Sequence, residues 1–244
     1  MEEIRIQKLL SNNGNYSRRK VEELLLQGRI KVNNKVINTL GFKCTTKDII
    51  EVDNERIDID LNKEKIYIAL NKPTNYICSL FDPQKRNKII DLIPKEYGRL
   101  IPVGRLDYDT SGLIFLTSDG NFCNYITHPS TSPEKEYIAI CDNPFCGDEI
   151  EKIEKGIYLE ELHYLAKNIK AKLIESSKTT STFLITLHEG KKHEVKLILE
   201  SVNHKVLSLK RIKIGSISLG NLEIGKFRNL TKEEIPSLGY KMNK

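Results

Sequence analysis

The 244-residue sequence predicts an α+β protein with two domains: a small N-terminal helix-helix-hairpin domain and a larger domain with a mixed, largely antiparallel sheet. Helical and hairpin patterns come first, whereas strand-like apolar runs outnumber helical ones from Ile66 onward, without strict alternation. The polar segment DIDLNKE separates the two patterns. We therefore predict domains at residues 1–58 and 65–244, joined by a linker at residues 59–64.

The N-terminal domain begins with two amphipathic helices. Gly14 ends the first, Ser17 is the predicted N-cap of the second, and Gly28 is placed to stop it. A hairpin follows, with its turn at Asn33 and Asn34 between RIKV and KVI. The short strand IIEV then leads to a second turn, DN. The apolar faces of the helices are formed by Ile4, Ile6, Leu9, Leu10, Val21, Leu24 and Leu25.

The larger domain contains strand-like segments interspersed with fewer helical ones. Its last helix has a capping box, because Thr231 is followed by Glu234 at the spacing that this motif requires. The strands are predicted at residues 66–70, 113–117, 136–140, 168–174, 182–187 and 205–212, and the helices at 119–127, 148–155, 192–201 and 231–237.

The composition is that of a soluble globular protein, with 39% hydrophobic and 30% charged residues. No apolar run approaches the roughly 20 residues of a membrane helix, and the start MEEIRIQKLL does not resemble a signal peptide. We therefore expect a cytoplasmic protein without membrane segments and, by default, a monomer. The formal net charge of +6 is compatible with a polyanionic partner.

Neither the cysteines nor the histidines predict a metal site. The 5 cysteines form no Cys-x-x-Cys pair, and their odd, scattered set does not suggest disulfides, so we expect reduced thiols. His188 and His193 lie on either side of Gly190 and do not share a helical face. We predict no metal.

The segment GRLDYDTSGLIFLTSDG is the most informative part of the chain. It places Asp107 in a polar stretch between the apolar runs IPV and LIFL, with Gly104 and Gly112 on either side. Glycines let the backbone turn sharply or lie close to a ligand. An acid displayed in this way suits catalysis, although spacing alone supports a polar loop between strands equally well.

The motif GRLD resembles the catalytic motif of the pseudouridine synthases that modify bacterial ribosomal RNA, the RsuA/RluB type. The resemblance implies a mixed sheet with a central catalytic cleft. It implies that Asp107 is the nucleophile, that Arg105 holds the flipped nucleotide or its phosphates, and that Thr110 contacts the substrate.

Two further segments resemble the same family and imply more site residues. LNKPTNYICS supplies Lys72 of a Lys-Pro motif, at a substrate-binding position, although Asn75 replaces the usual glycine. Asparagine tolerates the left-handed backbone better than most residues, so the turn can survive. EKEY supplies Tyr137, which in this family packs against the target uracil and takes part in catalysis.

A last segment, HEGKKHEVKLILE, resembles the family helix that carries a cation for the catalytic aspartate. Lys196 is the matching position, and His193 is a further substrate contact, whereas Glu194 and Leu197 depart from the family pattern. Burial disfavours a charged carboxylate, and a neighbouring cation opposes that effect. The resemblance therefore implies an ion pair between Lys196 and Asp107.

The pattern SRRKVEELLLQGRIKVNNKVI resembles the small RNA-binding domain named after ribosomal protein S-four, over residues 3–57. Cations at the start of its second helix oppose the helix dipole, at a cost of a few tenths of a kcal/mol unless an anion binds there. The resemblance implies that such cations grip folded RNA through its backbone. The implied contacts are Arg18, Arg19, Lys20, Arg29 and Lys31.

Together these resemblances imply an enzyme that isomerises a specific uridine of ribosomal RNA to pseudouridine without a cofactor, with large-subunit RNA slightly favoured over small-subunit RNA. Two alternatives remain open. Asp107 and Asp109 could form the carboxylate pair of a glycosidase-like hydrolase. The chain could also be a non-catalytic RNA-binding or assembly factor.

Overall fold

The computed structural model describes residues 3–14, 16–60 and 64–242. The chain forms two compact units: one contains the residues up to Ile66 with residues 95–100 and 118–120, and the other contains the remainder. Residues 61–63 of the predicted linker lie outside the described residues, and the domain boundaries stay a prediction.

The first unit has the two helices and the hairpin that the sequence predicts. Its elements are β1 (Ile4–Arg5), α1 (Ile6–Asn12), α2 (Arg18–Leu26), β2 (Ile30–Val32), β3 (Lys35–Ile37), β4 (Lys43–Cys44), β5 (Ile50–Val52) and β6 (Glu55–Ile57). Strands β3, β2, β5 and β6 form one antiparallel sheet in that order. The apolar faces of α1 and α2 pack with these strands into one core, which includes Ile6, Leu10, Leu24, Ile30 and Ile50.

The predicted helix cap and hairpin turn of this unit are both present. The Ser17 side chain accepts a hydrogen bond from the backbone N–H of Lys20 at 3.0 Å and so caps α2. Asn33 and Asn34 both have positive φ angles, of 50° and 66°, as a tight hairpin turn requires. The assignment of Ile4 to the first helix was wrong, because Ile4 pairs with Cys44 in a short antiparallel ladder.

The second unit is built on a mixed, largely antiparallel sheet, which confirms the predicted fold class. Its strands are β7 (Tyr67–Lys72), β8 (Ile101–Val103), β9 (Thr110–Thr117), β10 (Lys135–Asp142), β11 (Ile157–Leu159), β12 (Tyr164–Ala166), β13 (Lys170–Ser176), β14 (Thr180–Leu187), β15 (Val206–Ile214), β16 (Ile217–Ser218) and β17 (Phe227–Asn229). The α-helices of the remaining chain are α3 (Gly120–Thr127), α4 (Glu149–Lys155), α5 (Glu194–Glu200) and α6 (Glu234–Ser237).

The main sheet has the order β13-β14-β10-β15-β9-β7-β17, with β8 paired to β9 and β16 to β15. Its pairs are antiparallel except for β15 with β9, which run parallel. At that parallel contact Gly112 lies opposite Arg211. A Cβ atom at Gly112 would lie 2.2 Å from the Arg211 carbonyl oxygen, so only glycine permits this approach.

The remaining predicted elements agree with the structure within a few residues. The two reciprocal hydrogen bonds of the predicted capping box are present, since the Thr231 N–H donates to Glu234 Oε2 at 2.8 Å and the Glu234 N–H donates to Thr231 Oγ1 at 3.2 Å. The helix itself begins later than predicted, at Glu234, with Glu233 at its N-cap. The helix predicted from residue 192 begins later, at Glu194, because His193 has a left-handed φ of 57°. In the part of the chain that the structure describes, no helix is long and apolar enough to cross a membrane.

Candidate active site

A loop between β8 and β9 positions Asp107. Gly104 has a positive φ of 76°, and the Thr110 N–H donates to the Asp107 carbonyl oxygen at 3.1 Å, which closes a turn at the start of β9. The Asp107 side chain is 23% exposed and lines a cavity in the second unit. The nucleophile implied by the sequence therefore lies in a concave site rather than in a solvated loop.

The buried side chain of Lys72 supports this loop through hydrogen bonds to backbone carbonyl groups. Its side chain is fully buried, and Nζ donates hydrogen bonds to the carbonyl oxygens of Pro73, Asp107 and Thr110 at 3.0, 3.0 and 2.8 Å. Burial lowers the pKa of Lys72. This geometry corrects the expected substrate contact, because an ammonium group enclosed by backbone carbonyl groups supports the loop and does not face the cavity.

Lys196 pairs with Asp109 rather than with Asp107. The Lys196 Nζ lies 2.6 and 2.7 Å from the two carboxylate oxygens of Asp109. Burial raises the pKa of Asp109, but the Lys196 hydrogen bond and charge outweigh it and hold that pKa below its usual value. The expected pair of Lys196 with Asp107 is thus corrected, and the position that approaches Asp107 from this segment is His193.

His193, expected as a substrate contact, lies close to Asp107. Its left-handed backbone precedes α5 and brings the imidazole Nε2 to 3.6 Å from Asp107 Oδ1. The imidazole carries a charge only when it is protonated. The contact is therefore an ion pair when the imidazole is protonated and a contact with a neutral ring when it is not.

Tyr137 and Thr110 contribute polar groups to a cavity that both apolar and charged side chains line. Tyr137, on β10, is 6% exposed and lines the cavity beside Leu187 and Leu209. The Thr110 Oγ1 is buried and has no hydrogen-bond partner in the described part of the chain, so it is free to bind a ligand group. Arg105 is exposed and lines the same cavity. The cavity therefore offers both apolar surface and polar groups to a ligand.

Arg211 is a buried neighbour of Tyr137 that the sequence analysis did not single out. It lies on β15 directly opposite Tyr137 and is 3% exposed. Its Nε donates to the Leu113 carbonyl oxygen at 2.7 Å, and its Nη1 donates to the Tyr137 hydroxyl oxygen at 3.4 Å. The available signal was its spacing from Leu209, because residues two apart in a strand share a face.

Lys135 and Glu194 are two further buried charges near the site. Lys135 Nζ donates to the carbonyl oxygens of Pro133 and His188 at 3.2 and 3.0 Å, and burial lowers its pKa to about 8. Glu194, at a position that departs from the family pattern, is 4% exposed and lines the cavity. Burial raises the pKa of its carboxyl group, whose Oε2 accepts a hydrogen bond from the Lys191 N–H at 2.8 Å.

The cations expected to bind RNA in the first unit fall into two sets. Arg18 and Arg19 are exposed at the first turn of α2, where there is no acidic residue. The other cations have local partners: Lys20 with Glu23 at 2.7 Å, Arg29 with Asp53 at 2.5 and 2.6 Å, and Lys31 with the Asn54 side chain at 2.8 Å. Across residues 3–14, 16–60 and 64–242, no cluster of His, Cys, Asp and Glu could hold a metal ion.

Comparison with known proteins identifies both units. The sequence profile described as RNA pseudouridylate synthase matches residues 66–201, and the S4 domain profile matches residues 4–50. The uncharacterized RNA pseudouridine synthase of Aquifex aeolicus (strain VF5) is 42% identical over 98% of this chain and 94% of its own. The ribosomal large subunit pseudouridine synthase B of Bacillus subtilis (strain 168) is 37% identical, with 96% and 95% covered. A crystal structure of a pseudouridylate synthase matches with a TM-score of 0.70 and 29% identity, over 96% of this chain and 99% of that one.

Proposed function

Because the chain belongs to the RNA pseudouridylate synthase family and carries an S4 domain, we propose that it isomerises a uridine of large-subunit ribosomal RNA, with Asp107 as the nucleophile. The placement of Asp107 carries the proposal: its carboxylate faces the cavity while its backbone carbonyl is held by Lys72. The name of the Bacillus subtilis relative supports the large-subunit RNA as the substrate. We further propose that the protein acts in the cytoplasm as a monomer.

The substrate base enters the cavity only after it leaves its stack. That step costs a few kcal/mol, less where the RNA is already distorted, so a structured loop or junction is a suitable target. Leu187 and Leu209 supply apolar surface for the extruded ring, and Tyr137 packs against it. Arg105, exposed at the cavity edge, binds the phosphates of the flipped nucleotide.

The chemistry exchanges one bond of the base for another and needs no redox partner. The bond from N1 to the sugar carbon C1′ breaks, and the bond from C5 to C1′ forms. Overall, C5 loses one proton and N1 gains one. The product therefore has the same atoms as the substrate and is its isomer. Asp107 provides the carboxylate that acts on the nucleoside, and Tyr137 lies on the cavity wall where it can take part in the proton movement.

Lys196 serves this reaction through Asp109. The Asp109 carboxylate lies two positions from the nucleophile and is 68% exposed, where an uncompensated charge would repel the RNA phosphates. The Lys196 ammonium group neutralises that charge. In the first unit, Arg18 and Arg19 present free positive charge to the RNA backbone.

The matched pair Asp107→Asn and Asp109→Asn tests the proposed nucleophile. Each variant removes one carboxylate from the same loop, and pseudouridine formation is measured in large-subunit ribosomal RNA fragments by base-resolution mapping. We expect Asp107→Asn to abolish product formation while RNA binding persists, and Asp109→Asn to retain turnover. Normal turnover by Asp107→Asn refutes the nucleophile assignment. Free uracil, together with an equal requirement for both carboxylates, would support the hydrolase alternative instead.

A further inference from the structure

Arg211 carries a buried positive charge that its surroundings satisfy only in part. It forms no ion pair with a carboxylate in the described part of the chain, and its Nη2 has no hydrogen-bond partner there. Burying a charge is costly unless it is paired or hydrogen-bonded. An apolar residue at this position would avoid the cost, so the guanidinium is expected to have a role that packing alone does not fill.

The two hydrogen bonds that Arg211 does make fix its position relative to the sheet. The Nε bond to the Leu113 carbonyl oxygen, at 2.7 Å, ties the guanidinium to β9, the strand that follows the catalytic loop. The Nη1 bond to the Tyr137 hydroxyl oxygen, at 3.4 Å, ties it to β10. Arg211 therefore spans from the strand after the nucleophile to the tyrosine of the cavity wall.

The register of the sheet makes this span possible. Arg211 pairs with Tyr137 on one side and with Gly112 on the other. Directly opposite residues share a face of the sheet, which places the Arg211 and Tyr137 side chains next to each other. Gly112 presents no side chain, and its backbone conformation, with a φ of 105°, brings β9 close to β15.

The donor and acceptor roles at Tyr137 follow from this contact. A guanidinium nitrogen can only donate, so the phenol oxygen accepts, and the phenol's own hydrogen must point in another direction. Since Tyr137 lines the cavity, that hydrogen is available to the substrate base. The Arg211 carbon Cζ also lies 5.9 Å from the centre of the Tyr137 ring, within the range of a cation–π interaction.

We propose that Arg211 is a positioning residue for the isomerisation, which holds the Tyr137 hydroxyl in a fixed orientation as a donor toward the bound uracil. This proposal rests on the proposed function. Lysine cannot replace it, because a single ammonium group lacks the planar fork that reaches the Leu113 carbonyl and the Tyr137 hydroxyl together.

A double-mutant cycle tests the proposal with Arg211→Lys, Tyr137→Phe and the combined variant. For each, the single-turnover rate of pseudouridine formation and the dissociation constant of the RNA are measured, and thermal unfolding checks the fold. We expect Arg211→Lys to lower the rate about tenfold or more with little change in RNA affinity, but to have almost no further effect once the Tyr137 hydroxyl is removed. Equal losses in both backgrounds, or an unchanged rate, would overturn the proposal.

A second measurement does not depend on an arginine variant that folds. The guanidinium NMR signals of Arg211 are compared between the wild-type protein and Tyr137→Phe, which removes one oxygen atom. We expect these signals to shift, and unchanged signals would overturn the proposed contact. If the wild-type protein forms no pseudouridine in ribosomal RNA, the proposed function fails, whereas this NMR comparison tests the contact between Arg211 and Tyr137 independently of that outcome.

Discussion

Helix α2 with its following turn in the first unit and the candidate site in the second unit use positive charge in opposite ways. Arg18, Arg19, Lys20 and Arg29 are exposed, and those with partners contact acidic or amide side chains, as Arg29 does with Asp53. In the second unit Lys72, Lys135 and Arg211 are each less than 10% exposed and donate mainly to backbone carbonyl oxygens. Exposed charges remain available to a polyanion, whereas the buried ones hold loops and strands in place.

This difference predicts how the exposed and the buried cations respond to substitution and to salt. A buried cation bonded to carbonyl groups leaves unsatisfied acceptors when it is removed, each worth about 1–3 kcal/mol. An exposed ion pair contributes little to stability, about 0–1 kcal/mol, and salt screens it. Removal of buried cations should therefore destabilise the fold, whereas removal of exposed cations should weaken RNA binding without unfolding the protein.

Lys72→Met should have the largest effect. It keeps a side chain of similar length but leaves the carbonyl oxygens of Pro73, Asp107 and Thr110 without their donor. We expect the free energy of unfolding, measured in urea, to fall by about 3 kcal/mol or more, and the remaining folded protein to lose turnover because the Asp107 loop is released. Lys178→Met, at an exposed position, is the control. Equal stability of the two variants would contradict the role given to Lys72.

Lys135→Met tests the second buried cation through pH. Burial lowers the pKa of Lys135 from 10.5 to about 8, so between these values the unfolded chain holds a proton that the folded protein has released. The free energy of unfolding of the wild-type protein should therefore rise over this range through Lys135, by about 1–3 kcal/mol. Other groups also titrate there, so the expected result is a difference between the pH profiles of wild type and Lys135→Met. Parallel profiles would show that Lys135 does not titrate in this range.

Much of this architecture could be predicted from local sequence signals, whereas the buried cations could not. Ser17 and the pair Thr231 and Glu234 act within a few residues of themselves, and the structure shows the hydrogen bonds that these local signals predict. The strand pairing of Ile4 with Cys44 depends on a contact across 40 positions, which no local pattern encodes. The sequence therefore predicted the elements better than their long-range partners.

In the candidate site, too, local motifs were easier to predict than contacts between distant residues. Asp107 and Tyr137 come from two separate motifs, and the structure brings both to the wall of one cavity. The partner of Lys196 could not be read from the motif, because Asp107 and Asp109 are separated by one residue and only the folded loop decides which carboxylate the ammonium group reaches. A cation is also expected at the surface by default, so the burial of Lys72 gave no sequence signal.

We expect the double substitution Arg18→Ala with Arg19→Ala to have the smallest effect on stability. Its effect should be selective for RNA binding. Both side chains are exposed at a helix start that has no acidic residue, so the double substitution should leave thermal unfolding unchanged. Each phosphate that the protein no longer neutralises should reduce the slope of log affinity against log salt by about 1, giving a reduction of roughly 2 for the double variant.

The matched control for this variant is Lys43→Ala with Lys47→Ala, which removes the same charge from exposed positions in the same unit that the family resemblance does not assign to RNA. If net charge alone attracted the RNA, the two double variants would flatten the salt dependence equally. A larger effect of the α2 pair is expected, because a phosphate bound at that turn also meets the free backbone N–H groups of the helix start, which Lys43 and Lys47 lack. Equal slopes would place the RNA elsewhere on this unit and leave the exposed cations of α2 without a specific role.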